Sequence, residues 1–236
     1  MATRRPARRA SRAPRARAAP FRLHLVVMAK IPVAGRVKTR LARDVGAAAA
    51  TRFVRTATAS LLHRIGRSVP WRTMLAVTPD AAVRARAWPN AVPRMAQGGG
   101  DLGARMQRIM ALPVPGPVVI IGTDVPGITP AHIHAAFRLL GRHDAVLGPA
   151  ADGGYWLVGL RRRPRVLRPF SGVRWSGPHA LADTVANLSG ASVAFLETLS
   201  DVDCGPDLVR CGSPGRVVRK NSFAAETWRD KAETVV

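Results

Sequence analysis

The chain has 236 residues, of which 47% are apolar, so it can bury the core of one sizeable domain and is not a wholly disordered protein. It contains no run of about 18 apolar residues, which excludes a membrane-spanning helix. Its 37 lysines and arginines face only 14 acidic residues, and the net charge of +23 bears on partners and solubility and not on the fold.

Cysteine usage gives the expected compartment. The chain has two cysteines, Cys204 and Cys211, which are too few for a disulfide framework. They do not form the Cys-x-x-Cys pair of a zinc site either. We therefore expect a cytoplasmic protein.

Residues 1–20 differ in composition from the rest of the chain. They include seven arginines, three prolines and no acidic residue, so we expect a disordered tail. Three hypotheses stay open for it: a solvated extension without function, an arm that binds nucleic acid or another anionic surface, and a targeting peptide. The tail lacks the apolar segment of a secretory signal.

The body of the chain alternates strand-like and helix-like segments. Apolar runs predict strands, and apolar residues at a period near 3.6 predict helices. The predicted strands cover residues 23–28, 74–77, 118–121, 145–147, 155–158 and 192–196. The predicted helices cover residues 46–66, 102–112, 129–140 and 178–188, with a short helix starting near residue 79. This alternation indicates an α/β sheet with helices on both faces.

The loop after the first strand carries four basic residues. Residues 29–41 contain Lys30, Arg36, Lys38 and Arg40 together with Pro32 and Gly35. Loops beyond the carboxyl ends of strands bind ligands in open α/β sheets, and such cations suit a di- or triphosphate. The Gly-Lys-Ser/Thr order of a Walker loop is absent. The alternative is a solvated run of charge on a basic protein.

Acidic residues follow two other strands. Asp124 follows the apolar run 118–121, where a carboxylate is costly to bury unless a cation pairs with it. A hard divalent cation is one such partner, and a turn-capping role is the alternative. Asp201 and Asp203 follow the last strand and could complete a metal site or cap a helix.

Two glycine-rich loops complete the set. Residues 97–103 place three consecutive glycines before a helix, where the backbone can approach an anion closely. The alternative is a hinge with Asp101 as the helix cap. Residues 151–156 contain Asp152, Gly153 and Gly154 between two strands, a pattern that is also typical of a hairpin turn.

In this order, these loops resemble the DUF2064 family of GT-A superfamily proteins, often labelled glycosyltransferases. The motifs that carry the resemblance lie at residues 29–41, 97–106, 122–126, 147–155 and 201–203, within a region from about residue 22 to residue 209. The layout is also similar to that of 2-phospho-L-lactate guanylyltransferases and, more remotely, of molybdenum-cofactor nucleotidyltransferases. One departure is residues 201–208, where Cys-Gly-Pro replaces the Thr-Pro-Glu that the family usually has between its aspartates.

The resemblance implies an α/β, three-layer nucleotide-diphospho-sugar transferase-like (GT-A) fold with a mixed, mostly parallel sheet. It implies a single catalytic domain at residues 21–215, flanked by the tail 1–20 and a C-terminal tail 216–236. Nucleotide phosphates would lie at Arg36, Lys38 and Arg40. The nucleoside or the acceptor would bind beside Gln97, Gly98, Gly99 and Asp101.

The resemblance also implies a metal site and an acceptor pocket. Asp124 and Asp203 would hold Mg²⁺ or Mn²⁺. The residues assigned to catalysis are Asp124, Asp152 and Lys38, and Asp152 is the candidate base for the acceptor. The acceptor pocket would be lined by Gly153, Gly154 and Tyr155.

The function implied is a metal-dependent transfer from a nucleotide or nucleotide sugar to a small-molecule acceptor. Glycosyl transfer and nucleotidyl transfer share these loops, and the residues alone do not separate them. A catalytically dead relative that only binds nucleotide is a third interpretation. The basic charge suggests a nucleic-acid-binding protein instead, but only 5% of residues are aromatic, few for a base-stacking surface.

We predict that deleting residues 1–20 leaves the melting temperature and nucleotide binding unchanged, because this segment cannot bury apolar area. Differential scanning fluorimetry of the full and truncated chains measures the first, and calorimetric titration the second. Any retention of nucleic acid should weaken on truncation and should fall steeply with salt. A large loss of thermal stability would contradict the prediction.

Overall fold

A computed structural model of the chain describes residues 20–66 and 69–212. In these ranges seven strands form one sheet. They are β1 (Leu23–Lys30), β2 (Trp71–Thr78), β3 (Arg94–Ala96), β4 (Val118–Ile121), β5 (Ala145–Pro149), β6 (Tyr155–Leu160) and β7 (Val193–Phe195). The tails expected at residues 1–20 and 216–236 lie outside the described residues except for residue 20, so their disorder stays a prediction.

The sheet has the order β3-β2-β1-β4-β6-β5-β7. Pairing is parallel between β1 and β2, β2 and β3, β1 and β4, and β5 and β7. Only β6 runs the other way, antiparallel to both β4 and β5. The predicted mixed, mostly parallel sheet is thus confirmed, and the carboxyl ends of β1 and β4 lie side by side at its centre.

Six α-helices connect the strands in the described ranges. They are α1 (Thr39–Val45), α2 (Ala47–Ile65), α3 (Leu102–Met110), α4 (Pro130–Leu139), α5 (Ala180–Ala186) and α6 (Gly205–Gly212), with a 3-10 turn at Asp80–Arg84. The start of α4 follows directly from the sequence. Thr129 accepts a hydrogen bond from the His132 amide in a capping box, and Pro130 occupies the first turn, where its missing N–H costs nothing. None of the described helices is long and apolar enough to span a bilayer.

Alternate residues of the central strands build two cores, one on each face of the sheet. Leu25 and Val27 of β1 pack with α2 and α4, whereas Val26 of the same strand packs with α3. The same split separates Ile121 from Ile120 in β4. Because successive side chains of a strand point to opposite faces, these fully apolar strands need helices on both sides. The three-layer architecture follows from this requirement.

Three described elements were not predicted. Helix α1 begins inside the basic segment 29–41, which we expected to be a loop throughout, and it buries only Leu41. Strand β3 has three residues, none of them fully buried. Helix α6 starts at Gly205-Pro206, residues that usually indicate a turn. All three are too short for a hydrophobic period to show in the sequence.

Asp144 links the entry of β5 to the strands on either side. Its carboxylate accepts hydrogen bonds from the Ser192 amide at 3.0 Å and the Ser192 hydroxyl at 2.9 Å, and it pairs with Arg161. The two Ser192 bonds, chiefly the one from the amide, lower the pKa of Asp144, and Arg161 adds to this. The carboxylate therefore stabilises the fold only while it is ionised.

We predict that Asp144→Ala lowers the free energy of unfolding by about 1 kcal/mol at pH 7, a modest loss because the side chain is partly exposed. Ser192→Ala, which removes one of the bonds, should cost less. Since the pKa of Asp144 is lowered in the folded protein, its contribution is present above the unfolded pKa of about 4 and is lost as the pH falls further. Urea denaturation at pH 7 and pH 3 measures both effects. An undiminished difference between Asp144→Ala and wild type at pH 3 would contradict the assignment.

Candidate functional site

The carboxyl edge of the sheet carries a cavity of about 590 Å³ between the loops after β1 and β4. Six of the predicted site residues line it: Arg36, Lys38, Arg40, Asp124, Tyr155 and Asp203. The other seven lie outside its lining: Gln97, Gly98, Gly99, Asp101, Asp152, Gly153 and Gly154. The structure thus brings the cations of the first loop together with two acids that follow much later in the chain.

Three carboxylates meet at this edge. One oxygen each from Asp124, Asp201 and Asp203 lie within 4.8 Å of one another. The Val202 amide donates to the Asp124 carbonyl at 3.0 Å, which ties the segment after β7 to the end of β4. The Val202 side chain is fully buried against Leu41 and anchors the segment that carries Asp201 and Asp203, of which Asp203 lines the cavity.

The pKa of Asp201 reflects both its burial and its acidic neighbours. Burial, together with the neighbouring carboxylates, of which Asp203 has the largest effect, raises the pKa of Asp201 to about 6, although Lys38 acts in the opposite direction. Hard divalent cations prefer clusters of carboxylate oxygens. The three aspartates therefore fit Mg²⁺ or Mn²⁺ in donor type and in charge. Sequence analysis considered Asp201 but assigned only Asp124 and Asp203 to the metal.

Lys38 lies between two of the acids. Its ammonium nitrogen is 3.0 Å from Asp124 Oδ2 and 2.5 Å from Asp203 Oδ1, and the side chain is only 13% exposed. Burial alone would lower the pKa of Lys38, but the two carboxylates outweigh it and the pKa is raised. Arg40 is also within 3.5 Å of Asp203. Lys38 directly precedes α1 and has a φ of 43°, in the left-handed region that is uncommon for a lysine.

Two further acids hold residues 203–205 in place through their backbone amides. Asp207 Oδ2 accepts from the amides of Asp203 at 3.0 Å and Cys204 at 2.9 Å, and Asp44 Oδ2 accepts from the Gly205 amide at 2.7 Å. Burial would raise the pKa of Asp207. Hydrogen bonds from the Cys204 thiol and from the amides of Asp203 and Cys204 outweigh it and lower that pKa to about 2. The sequence does not indicate these roles of Asp44 and Asp207, because an acid that binds backbone amides leaves no distinctive sequence pattern.

The glycine-rich loop makes its polar contacts within the protein. The Gln97 side chain is buried, and its amide donates to Ala76 O at 2.9 Å and to Ala29 O at 3.3 Å, which joins β2 to β1. Asp101 Oδ1 accepts from the Ala104 amide at 2.8 Å and caps α3. The Gly98 amide donates to Asp80 at 3.0 Å. Nucleotide contacts from Gln97, Gly98, Gly99 and Asp101 stay a prediction.

The segment predicted as the acceptor pocket is the turn of the β5–β6 hairpin. Asp152 Oδ1 accepts from the Gly154 amide at 2.9 Å. Gly153 has a φ of 87°, and an added Cβ would lie 2.5 Å from the Pro178 carbonyl oxygen, so this position requires glycine. Tyr155 lines the cavity, and burial raises the pKa of its hydroxyl, which accepts from Thr184 at 3.4 Å.

Comparison with known proteins supports the family resemblance. The sequence model of the family described as "Uncharacterized protein conserved in bacteria (DUF2064)" matches residues 61–177. A crystal structure from Desulfovibrio desulfuricans G20, provisionally described as a nucleotide-diphospho-sugar transferase, is 27% identical with a TM-score of 0.75, covering 90% of this chain and 96% of that one. The search of curated proteins found no match.

Two more distant structures share the fold. Glucosyl-3-phosphoglycerate synthase from Mycobacterium tuberculosis, solved with Mn²⁺, UDP and glucosyl-3-phosphoglycerate, is 11% identical with a TM-score of 0.50, covering 80% of this chain and 75% of that one. CMP:2-keto-3-deoxy-manno-octonic acid synthetase complexed with CTP is 13% identical with a TM-score of 0.51, covering 80% and 96%. The chain thus has a nucleotide-diphospho-sugar transferase-like fold, and the resemblance to the DUF2064 family is confirmed over residues 61–177. Its neighbours place it among transferases in general.

We predict that Asp124→Ala keeps the fold but loses metal-dependent nucleotide binding, because it removes a ligand from the end of the buried strand β4. Calorimetric titration of a nucleotide panel, with and without Mg²⁺ or Mn²⁺, measures the loss. Asp183→Ala is the matched control, since that carboxylate pairs with Arg174 at 2.8 Å and is not one of the three acids. Unchanged affinity for the Mg²⁺ nucleotide in Asp124→Ala would overturn the assignment.

Proposed function

We propose that this protein is a metal-dependent glycosyltransferase that uses a nucleoside-diphosphate sugar. The observation that carries the proposal is that three carboxylates meet at the carboxyl edge of the sheet, where two of them, Asp124 and Asp203, line one cavity with the cations of residues 36–40. Carboxylates can hold a divalent cation, and the arginines and lysine beside them can hold phosphates. The Desulfovibrio neighbour, with its nucleotide-diphospho-sugar description, supports this choice of donor.

Each group of charged residues in the site has a separate proposed role. Asp124, Asp201 and Asp203 would hold Mg²⁺ or Mn²⁺, which supplies positive charge for a diphosphate leaving group. Arg36, in the loop after β1, and Arg40, in the first turn of α1, are exposed and would bind the outer phosphate oxygens. Lys38, placed deeper, would contact the oxygen on which charge grows as the bond to the donor breaks.

The acceptor is proposed to enter from the side of the β5–β6 hairpin. Tyr155 lines the cavity there, and Asp152 is close enough to Asp201 to raise its pKa. Asp152 would accept the proton of the attacking hydroxyl. In the resting structure it accepts a hydrogen bond from the Gly154 amide, which orients the carboxylate but leaves its second oxygen for the acceptor.

Nucleotidyl transfer is the second candidate. The neighbour complexed with CTP has the same fold and binds a nucleoside triphosphate, the substrate that this chemistry requires. In that case the acceptor would be a small phosphorylated molecule, and its oxygen would attack the α-phosphorus, with pyrophosphate as the leaving group. The same carboxylates and cations would serve both reactions.

The products distinguish the two reactions. We expect that incubation with a panel of nucleotide sugars, Mn²⁺ and an acceptor pool releases a nucleoside diphosphate, which a coupled assay detects. Asp124→Ala should abolish the release, and Asp183→Ala should not. Pyrophosphate released from a nucleoside triphosphate under the same conditions would overturn glycosyl transfer and support nucleotidyl transfer.

A further inference from the structure

Lys38 makes the contacts that a metal ion in this site would make. Its ammonium bridges Asp124 Oδ2 and Asp203 Oδ1, and both residues belong to the group of three acids. A cation held by the three carboxylates, whose oxygens lie within 4.8 Å of one another, would approach the same two carboxyl groups that Lys38 contacts. Two positive centres so close together repel each other strongly in a partly buried site.

The Lys38 ammonium alone does not neutralise the three aspartates. Lys38 carries one charge, whereas three carboxylates converge, and the more distant Arg40 contacts only Asp203, at 3.5 Å. A divalent cation would compensate the carboxylates better than the lysine does, so exchange between the two is favourable if the ammonium has another anion to bind.

Such a second position is close by. Lys38 lines the same cavity as Arg36 and Arg40, where the donor phosphates are proposed to bind. Its four-carbon stem has several rotatable bonds, so the ammonium can move while the backbone stays in place. The loop around it is held independently, through Leu41 in the core and the Asp44 contact to Gly205.

We propose that Lys38 is a positioning residue that couples metal binding to donor binding. Without donor, its ammonium occupies the carboxylates and competes with the divalent cation. When donor phosphates enter, the ammonium transfers to them and the three aspartates become available to the metal. This inference rests on the proposed function, and it makes donor and metal binding mutually favourable, since coupling between two ligands is reciprocal.

The coupling has a consequence that a simple phosphate-binding lysine would not produce. Removal of Lys38 should weaken binding of phosphates, yet it should strengthen binding of the metal alone, because the competing cation is gone. A lysine that only binds phosphates would leave the affinity for metal alone unchanged. A lysine that only holds the loop together would weaken both.

The test measures Mn²⁺ binding without nucleotide, by electron paramagnetic resonance of the free ion, in wild type and in Lys38→Met. We expect Lys38→Met to bind Mn²⁺ at least about tenfold more tightly, and to bind inorganic pyrophosphate in the absence of metal more weakly. The matched control is Arg43→Met, which also removes one positive charge. Arg43 is an exposed residue of α1 that does not line the cavity. This control should leave Mn²⁺ affinity unchanged.

A second variant protects the test against misfolding. Lys38→Asn is also neutral, and asparagine accepts the left-handed backbone found at this position. Tighter Mn²⁺ binding in either folded variant supports the inference. Unchanged or weaker Mn²⁺ binding in folded variants overturns it and leaves the transferase proposal standing. Absence of Mn²⁺ binding in wild type and variants alike, with or without nucleotide, would overturn the metal site and both proposals.

Discussion

The concentration of negative charge at the centre of the sheet edge is the constraint on which the rest of the site depends. Asp124, Asp201 and Asp203 are each partly buried, and their carboxylates converge. Like charges at this distance destabilise one another unless cations compensate them. Lys38 and Arg40 supply part of the compensation in the structure. Burial, together with the neighbouring carboxylates, still raises the pKa of Asp201.

The sheet topology creates this convergence. Strands β1 and β4 are parallel neighbours, so the basic loop after β1 and the aspartate after β4 emerge at the same edge. The chain then returns through β7 and runs back along the edge, where the Leu199 amide donates to Pro149 and the Val202 amide to Asp124. A segment that would otherwise be a surface loop is thereby fixed against the end of the central strand.

Acids outside the cavity keep that segment in place. Asp44 of α1 and Asp207 of α6 bind the backbone amides of residues 203–205, so two short helices determine the position of Asp203. Here the chain departs from the usual family pattern, with Cys-Gly-Pro between its aspartates. Asp207, in the first turn of α6, is retained, and its bonds to the Asp203 and Cys204 amides hold the loop.

The sequence by itself determined the alternation of strands and helices, the burial of residues 118–121 and the loops that carry charge, because hydrophobic periods and turn residues act over a few neighbouring positions. It also indicated Asp124 and Asp203 at the ends of strands. It could not show that Lys38 pairs with acids 86 and 165 residues away, nor that the Gln97 amide joins two strands. Only the tertiary structure decided these pairings, because the energy of a charge or hydrogen bond depends on distances in space, which the fold sets and local sequence does not.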